Sequence, residues 1–265
     1  MHQILSGIRV LELGQLIAGP FAAKTLADGQ PPLFELGLEN LFRSGLVSGK
    51  LSFTSDAKAA VCDAEVVWIA FDTPVDDEDR ADVPYVMARV ASLFPHLRDG
   101  AVLLVSSQMP VGSLRQLEEA FAPVANGRRV IFACSPENLR LGKAIQVFRH
   151  PERVIVGVRG GEGKAILTAL FAPFSDAIIW TGIEAAELSK HAINAFLATC
   201  VTFINEIATV AEKVGADAGE VECAMRKEPR IGPNVISVPA PPSPGVHWPA
   251  TSTFLAKSPC ATTCS

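Results

Sequence analysis

The chain has 265 residues, of which 49% are hydrophobic and 19% are charged. A chain of this length and composition can bury a sizeable core in one or two domains, so most of it should fold. Lys and Arg number 23 against 28 Asp and Glu, which gives a formal charge of −5. Neither a phosphate backbone nor an anionic membrane surface would attract such a chain. We therefore expect no nucleic-acid partner and no membrane partner.

Cysteine usage and the N-terminal sequence bear on the compartment. The six cysteines show no Cys-x-x-Cys spacing, and four of them lie in apolar runs, where free thiols behave as small hydrophobes. The N-terminus lacks a basic segment followed by an uninterrupted apolar stretch, and no run approaches the ~20 apolar residues of a membrane-spanning helix. These features predict a soluble protein in the reducing cytoplasm.

Short β-branched runs alternate with amphipathic segments over the first 180 residues. The strands are predicted at residues 8–13, 51–54, 65–71, 101–106, 129–134, 153–158 and 177–180. The helices between them are predicted at residues 83–94, 113–121 and 162–171. This alternation is typical of an α/β fold with a doubly wound sheet of buried parallel strands.

The pattern changes beyond residue 180. Apolar residues recur at spacings of three and four from residue 184 to about residue 214, which predicts one helix roughly 45 Å long. A helix of this length with more than one apolar face usually spans two domains or two subunits. Gly215 is a plausible stop before a shorter helix at residues 218–225. The last 35 residues, 231–265, contain seven of the 19 prolines and no acidic residue, which predicts a disordered tail.

Polar residues follow three of the predicted strands, where a doubly wound sheet binds its ligands. They are Thr73, the segment at 106–113 and the segment at 135–142. Ser135-Pro136-Glu137 also fits a helix start, with serine as N-cap, proline at the first position and a carboxylate near the positive end of the dipole. From the residues alone we favour this helix-start interpretation of Glu137 over a functional one.

The long helix carries a second candidate group. Lys190 and Asn194 are four residues apart and share a face, and Asn205 lies three turns along the same stripe. A lysine can orient a water or an alkoxide and an asparagine can hydrogen-bond a developing oxyanion, as alcohol oxidation requires. A salt-bridged lysine and a structural asparagine are the other interpretation, and the residues leave both open.

No metal site is expected. The acidic run at 76–79 is more consistent with a solvated loop, because nothing makes its carboxylates converge. The glycine-rich segment at 160–164 lacks the spacing of a phosphate-binding loop. The five histidines have no ligand spacing with one another.

About 200 residues, from residue 32 to residue 232, resemble the UDP-glucose/GDP-mannose (nucleotide-sugar) dehydrogenase family. The motifs that carry the resemblance are S-S-Q-M-P-V-G-S at 106–113, S-P-E-N-L-R-L-G-K-A-I at 135–145, A-E-L-S-K-H-A-I-N-A-F-L-A-T at 186–199 and P-R-I-G at 229–232. The resemblance implies NAD-dependent oxidation of the C6 alcohol of a UDP- or GDP-sugar to the carboxylate, through a thioester on a cysteine. It also implies that the long helix is a central dimerisation helix of a homodimer.

The resemblance assigns roles by position. Glu137 resembles the glutamate that serves thioester hydrolysis, and Lys190 and Asn194 resemble the pair that holds the catalytic water and the oxyanion. The residues expected on the cofactor side are Thr73 and Gln108. The residues expected to bind the nucleotide sugar are Asn138, Leu139 and Arg140, together with Arg230, which reaches the sugar in a neighbouring active site.

The chain also departs from the family pattern. Residues 5–28 resemble the opening of the family III (CaiB/BaiF) CoA transferases, and Gly14 and Gly19 are five apart, so the G-x-G-x-x-G fingerprint of dinucleotide binding fails. That segment reads as a strand, a loop and a helix start, and could occupy the first βα position of the sheet. Gln108 stands where the family usually has threonine, and Leu141 where a second glutamate often follows.

These observations together predict an incomplete Rossmann-like doubly wound sheet followed by a long-helix dimerisation domain. The expected divisions are a foreign βα segment at 1–31, an incomplete NAD-binding domain at 32–180, a central helical domain at 181–232 and an unmatched tail at 233–265. Cys260 and Cys264 lack the glycines, lysine and aspartate that normally surround the nucleophile, and no second nucleotide-binding domain follows. We therefore expect a truncated family member with little or no turnover. The alternatives are a non-catalytic dimerising fragment and, less favoured, a CoA-transferase-related protein.

Overall fold

The computed structural model describes residues 10–15, 36–52, 54, 56–71, 73–74, 78, 81–137, 139 and 142–231, with only the backbone described for residues 10–15 and 71. The chain divides into two compact units, one of residues 1–190 and one of residues 191–265. The boundary falls inside the long helix, between Lys190 and His191.

The first unit is built on a six-stranded sheet in which the strands follow one another in chain order, from β1 to β6. The strands are β1 (Val10–Gln15), β2 (Val66–Phe71), β3 (Val102–Val105), β4 (Ile131–Cys134), β5 (Val154–Val158) and β6 (Ile178–Thr181). Strands β1 to β4 run parallel, and β5 and β6 run parallel to each other. The predicted α/β fold is confirmed.

Two of the sequence predictions about the sheet are wrong. Strand β5 is antiparallel to β4, so the sheet is not parallel throughout. A buried apolar run has the same pattern in either direction, and hydrophobicity therefore carries no information about the sense of a strand. Residues 51, 52 and 54 lie outside any strand, because the N–H groups of Lys50 and Leu51 both donate to the carbonyl oxygen of Gly45 and close the preceding helix.

Strand β1 lies in the segment that resembles a CoA transferase. It pairs in parallel with β2 over six residues, from Val10 opposite Val66 to Gln15 opposite Phe71. The expectation that this segment supplies a strand next to the rest of the sheet is confirmed. The loop and helix start expected after it fall at residues 16–35, outside the described residues.

Helices cover the sheet and extend beyond it. They are α1 (Leu38–Val47), α2 (Ala57–Val61), α3 (Val83–Ala91), α4 (Ser113–Phe121), α5 (Ala144–Arg149), α6 (Lys164–Phe171), α7 (Ile183–Val214) and α8 (Ala218–Lys227). The predicted helices at 83–94, 113–121, 162–171, 184–214 and 218–225 all correspond to one of these. Short 3-10 turns follow α3 and α4.

The sheet separates two apolar clusters because side chains alternate between its faces. In β2, Val67 and Ile69 belong to one cluster, while Val66 and Trp68 belong to the other. The first cluster packs under α3, α4 and the start of α7, and the second packs under α6. Side chains on both faces of the central strands are therefore buried, as a two-layer cover requires.

The first turns of α7 lie against β5 at a close approach. A Cβ atom placed on Gly157 would lie 2.6 Å from the Cβ of Ala186 and 2.9 Å from the Cα of Ile183. Ile183 and Ala186 are themselves fully buried. Glycine at position 157 thus sets how closely the helix can approach the sheet.

The second unit contains the rest of α7 and the helix α8. Gly215 ends α7 with a φ of +71°, and the Asp217 carboxylate caps α8 by accepting the N–H groups of Gly219 and Glu220. Within α8, the buried Glu222 pairs with Arg226 at 2.6 Å. Large apolar side chains are exposed along this part of α7, namely Phe196, Leu197, Phe203, Val210 and Val214.

Candidate active site

The candidate site begins at the carboxyl ends of three neighbouring parallel strands, β2, β3 and β4. The hydroxyl of Thr73, just after β2, donates to the backbone carbonyl of Gln108, after β3, at 2.8 Å. The two residues predicted on the cofactor side are thus directly joined. Such an edge is where doubly wound sheets bind ligands, because the loops that follow the strands open a crevice there.

A second link joins the same three strands. The indole N–H of Trp68 donates to the Ser106 hydroxyl at 2.8 Å, and this hydroxyl donates to the carbonyl oxygen of Ser135 at 2.6 Å. Ser106 and Ser135 are both buried. Ser135, at the start of the segment that carries Glu137, is therefore linked to Trp68 in β2, two strands away.

Ser107 lies between these two links. Its Oγ is buried and has no hydrogen-bond partner among the residues that the structure describes. A buried hydroxyl without a partner costs free energy and is rare in native proteins, so it needs a reason. A bound molecule with a polar group at the end of β3 would supply the missing partner, and a nicotinamide dinucleotide fits this requirement.

Glu137 does not begin a helix, so the favoured helix-start interpretation is wrong. Residues 135–137 are extended or irregular, and the next helix, α5, begins only at Ala144. The Glu137 carboxylate instead accepts the backbone N–H of Leu139 at 2.6 Å and remains exposed. A local carboxylate-to-backbone bond competes with a helix in short polar segments and determines the conformation here.

Glu187 is a residue whose role the sequence did not reveal. It is 5% exposed, and its two carboxylate oxygens accept the N–H of Gly112 at 2.7 Å and that of Leu114 at 3.0 Å. Helix α4 starts after Gly112, which has no side chain to cap it, so Glu187 supplies the cap from another helix. The sequence offers two separate signals for this contact. One is a carboxylate on the apolar face of α7, and the other is a helix, α4, that begins after a glycine with no side chain to cap it.

The Glu187 contact also positions Lys190. Gly112 ends the loop that contains Gln108, and Lys190 lies three residues after Glu187, almost one turn along α7. The helix that carries Lys190 is therefore bonded to the loop after β3. Lys190 is half-buried.

Four charged residues connect α4, β5 and α7 beside this cap. Arg159 bonds Glu118 at 2.7 Å and Glu184 at 2.8 Å, and Arg115 bonds Glu184 at 2.6 Å. Hydrogen bonds from Arg159 and then Arg115 lower the pKa of Glu184 to about 2 from its usual 4.5. The pKa of Arg159 is raised by the bonds to Glu184 and Glu118. The network keeps Glu184 ionised at neutral pH, and it joins the start of α7 to α4 and to Arg159 after β5.

The remaining predicted residues fall in different parts of the chain. Leu139 is exposed at the same edge as Glu137. Asn138 and Arg140 lie outside the described residues. Asn194 is exposed on α7 in the second unit, one turn beyond Lys190 in sequence, and Arg230 is exposed there with its Nε 2.7 Å from the Glu228 carboxylate.

Cys134 is the cysteine nearest in sequence to Glu137, and it is unsuited as a nucleophile. Burial, and then the nearby charge of Glu187, raise the pKa of its thiol to about 12. The thiolate is the reactive form of cysteine, so a thiol with this pKa is inert at neutral pH. Cys260 and Cys264 lie outside the described residues.

Comparison with known proteins identifies the family. Residues 21–175 match the NAD-binding domain of the UDP-glucose/GDP-mannose dehydrogenase family, and residues 184–256 match its central domain. The chain belongs to the UDP-glucose/GDP-mannose dehydrogenase family. The resemblance predicted from residues 32–232 is thereby confirmed, and the central-domain match continues beyond Gly232.

Curated relatives and solved structures agree with this assignment. UDP-glucose 6-dehydrogenase of Rhizobium meliloti is 38% identical over 213 residues, which are 78% of this chain and 49% of the relative. The corresponding enzyme of Pseudomonas aeruginosa is 37% identical over 218 residues, 80% of this chain and 48% of the relative. The chain thus spans about half the length of these relatives.

Among solved structures, a UDP-glucose dehydrogenase from Pyrobaculum islandicum superimposes with a TM-score of 0.79 at 27% identity, covering 88% of this chain and 60% of the other. A ternary complex of GDP-mannose dehydrogenase from Pseudomonas aeruginosa gives a TM-score of 0.71 at 27% identity, with 78% and 49% covered. Both are dehydrogenases of nucleotide sugars by name. The Rossmann-like fold is therefore that of the family.

Helix α7 is long and apolar enough to cross a membrane by length and composition. Its longest stretch without Asp, Glu, Lys or Arg runs from residue 191 to residue 205 and contains two asparagines. These 15 residues are fewer than the roughly 20 that a bilayer core requires.

Proposed function

We propose that this chain carries the site of an NAD-dependent nucleotide-sugar 6-dehydrogenase, which oxidises the C6 alcohol of a UDP- or GDP-sugar to the carboxylate. The observation that carries the proposal is the meeting of Thr73, Gln108 and the segment at Ser135 at one edge of a sheet that matches the family's NAD-binding domain. Thr73, the buried hydroxyl of Ser107 and Gln108 would contact the dinucleotide. NAD supplies the hydride acceptor when bound.

The chain's own residues supply binding and proton chemistry in this proposal. Glu137 is exposed, and its carboxylate would take the proton of the water that attacks the thioester carbon and displaces the cysteine sulfur. Lys190 and Asn194 would hold that water and the developing oxyanion. Residues 138–140 would contact the nucleotide sugar, and Arg230 would reach the sugar of a second copy.

The proposal includes a homodimer formed through α7, located in the cytoplasm. Five large apolar side chains of its second part are exposed in the single chain. Exposed apolar area of this kind usually marks an interface. A self-complementary helix face is the usual basis of a twofold dimer.

Turnover by this chain should be weak or absent. Gly14 and Gly19 are too far apart for the pyrophosphate fingerprint, and Gln108 replaces the usual threonine. The buried, high-pKa thiol of Cys134 offers no nucleophile near Glu137. A non-catalytic dimer remains the second candidate, and the exposed apolar residues of α7 favour it.

Calorimetric titration tests the proposal. We expect saturable heat with NAD and with either UDP-glucose or GDP-mannose, and slow or undetectable NADH formation from the pair. A Glu137→Gln variant should bind NAD as the unmodified chain does. A dimer that gives no heat with NAD or with either sugar nucleotide would establish the non-catalytic alternative, and rapid NADH formation would refute the predicted loss of turnover.

A further inference from the structure

Trp68 is linked to both ends of the segment that carries Glu137, through Ser106 at one end and through Phe148 at the other, although it lies in a different strand. It is the third residue of β2, and the alternation of the strand turns it to the face covered by α6. The predicted roles in the site leave it out. Its two sets of contacts, through the indole N–H and through the ring, lead to opposite ends of residues 135–143.

The amino end of the segment is reached by hydrogen bonds. The Trp68 N–H donates to the Ser106 hydroxyl at 2.8 Å, and the hydroxyl donates onward to the Ser135 carbonyl at 2.6 Å. Each bond orients the next, since a hydroxyl that accepts a bond becomes a better donor. Because Ser106 and Ser135 are 8% and 5% exposed, water cannot easily replace either partner.

The carboxyl end is reached by ring contacts. The Trp68 ring lies 6.1 Å from the ring of Phe148, centroid to centroid, and Phe148 belongs to α5, which starts directly after the segment. Phe171 of α6 meets the same indole edge-on at 5.8 Å. Phe148 in turn contacts Phe174 at 5.0 Å. Aromatic pairs at these separations stabilise their relative position beyond simple burial.

We propose that Trp68 is a positioning residue for the substrate-binding segment at 135–143, acting through Ser106 on Ser135 and through Phe148 on α5. Trp68 sets the separation between the two ends of the segment and thereby the position of the Glu137 carboxylate. The ligand-binding part rests on the proposed function, whereas the positioning of the segment does not depend on a ligand.

Three variants remove the hydrogen-bond route while an aromatic ring stays against Phe148, and a fourth variant is the control. Trp68→Phe keeps an aromatic ring against Phe148 but removes the N–H donor. Ser106→Ala removes the bond to Ser135, and the double variant removes both partners. Trp180→Phe is the matched control, because Trp180 is a half-buried tryptophan in the same apolar cluster that contacts Lys164 instead.

Amide hydrogen exchange measures the positioning directly. We expect exchange of the peptide at 135–143 to rise at least about threefold in Trp68→Phe and in Ser106→Ala, consistent with the loss of one buried hydrogen bond. The double variant should exchange about as fast as the faster single variant, well below the product of the two single effects, because both substitutions break the same chain of bonds. Trp180→Phe should leave this peptide unchanged.

Ligand affinity gives the second readout. In Trp68→Phe we expect the dissociation constant for UDP-glucose or GDP-mannose to rise about fivefold while that for NAD changes less than twofold. A general loss of stability would weaken both ligands together. Equal weakening of both ligands, or unchanged exchange at 135–143 in both Trp68→Phe and Ser106→Ala, overturns the proposal.

Failure of the proposed function can be distinguished from failure of the Trp68 proposal. If the unmodified chain binds neither sugar nucleotide, the proposed function fails, and the exchange data still decide whether Trp68 positions the segment. If Trp68→Phe does not fold, Ser106→Ala alone decides, since it leaves every ring contact in place.

Discussion

The two halves of helix α7 differ in how their large apolar side chains are covered. In residues 183–190, Ile183 and Ala186 are fully buried, and Glu187 has both carboxylate oxygens bonded to the start of α4. In residues 191–214, Phe196 and Phe203 are 57% and 48% exposed. One continuous helix therefore has a first part that packs against the sheet and a second part in which Ile204 and Ala211 are buried but several large apolar side chains are exposed.

The difference shows how the candidate site is divided. Lys190 ends the first half and is held through Glu187, whereas Asn194 stands exposed in the second half. In the first half, polar atoms and a glycine fix the helix against the sheet. In the second half, the same helix offers a surface that a second copy of the chain could bury.

The largest effect should come from Gly157→Ala, which tests the close contact under the first half. A methyl group at this position would lie 2.6 Å from the Ala186 Cβ and 2.9 Å from the Gly182 carbonyl oxygen, so backbone must move. We expect the free energy of unfolding to fall by about 3 kcal/mol, measured by urea denaturation. Gly161→Ala is the control, because its Cβ would meet nothing within 4 Å. Equal losses in both variants would refute the role of the close contact.

The same contrast explains what the sequence could predict. The period of apolar residues predicted α7 almost to its ends, because a long amphipathic pattern depends only on local spacing. The direction of β5 and the role of Glu187 depend on residues far apart in the chain. The pattern at 135–137 predicted a helix start, but the carboxylate of Glu137 instead accepts the backbone N–H of Leu139, two residues later.

The roles assigned to the candidate site residues stay predictions. The family resemblance assigned Thr73 and Gln108 to the cofactor side, and in the structure a hydrogen bond joins them. The contacts that hold the site, from Trp68 and Glu187, were not predicted. In the sequence, Trp68 has the pattern of an ordinary strand residue. Its hydrogen bond to Ser106 is visible only in the structure.

The next effect is expected from Glu187→Ala, which removes the cap supplied by the first half. The variant would leave two N–H groups, of Gly112 and Leu114, without their charged acceptor. We expect a loss of about 2 kcal/mol in the free energy of unfolding, again by urea denaturation. Glu119→Ala, at an exposed position of α4, should change it by less than about 0.5 kcal/mol. A loss no larger than the control's would contradict the capping role.

A smaller effect, on association, should come from Phe196→Glu in the second half. A charge at the centre of an apolar interface should raise the dissociation constant of the dimer at least about tenfold, or about 1.4 kcal/mol, with an unchanged free energy of unfolding of the monomer. Sedimentation equilibrium measures this constant. Val124→Glu changes another exposed apolar residue, outside α7, and should leave the dimer intact. A Phe196→Glu chain that stays as dimeric as the unmodified one would exclude this face.

The smallest effect concerns Glu184, at the first turn of α7. Its pKa is about 2 when folded and 4.5 ordinarily, because Arg159 and Arg115 donate hydrogen bonds to its ionised form. A carboxylate with a lowered folded pKa stabilises the protein fully above its unfolded pKa, and this contribution disappears as the pH falls toward the folded pKa. The side chain is partly exposed, so solvent screening keeps the contribution near about 1 kcal/mol.

Glu184→Gln should therefore lower the free energy of unfolding by about 1 kcal/mol at pH 7, and this difference from the unmodified chain should shrink between pH 4.5 and pH 2. Urea midpoints at pH 7, 4 and 2.5 measure it, with Glu119→Gln as an exposed control outside the network. A difference that stays constant with pH would mean that the network does not depend on the charge of Glu184. In that case shape and burial alone would hold the first half of α7, and the contrast with the second half would rest on packing rather than on ion pairs.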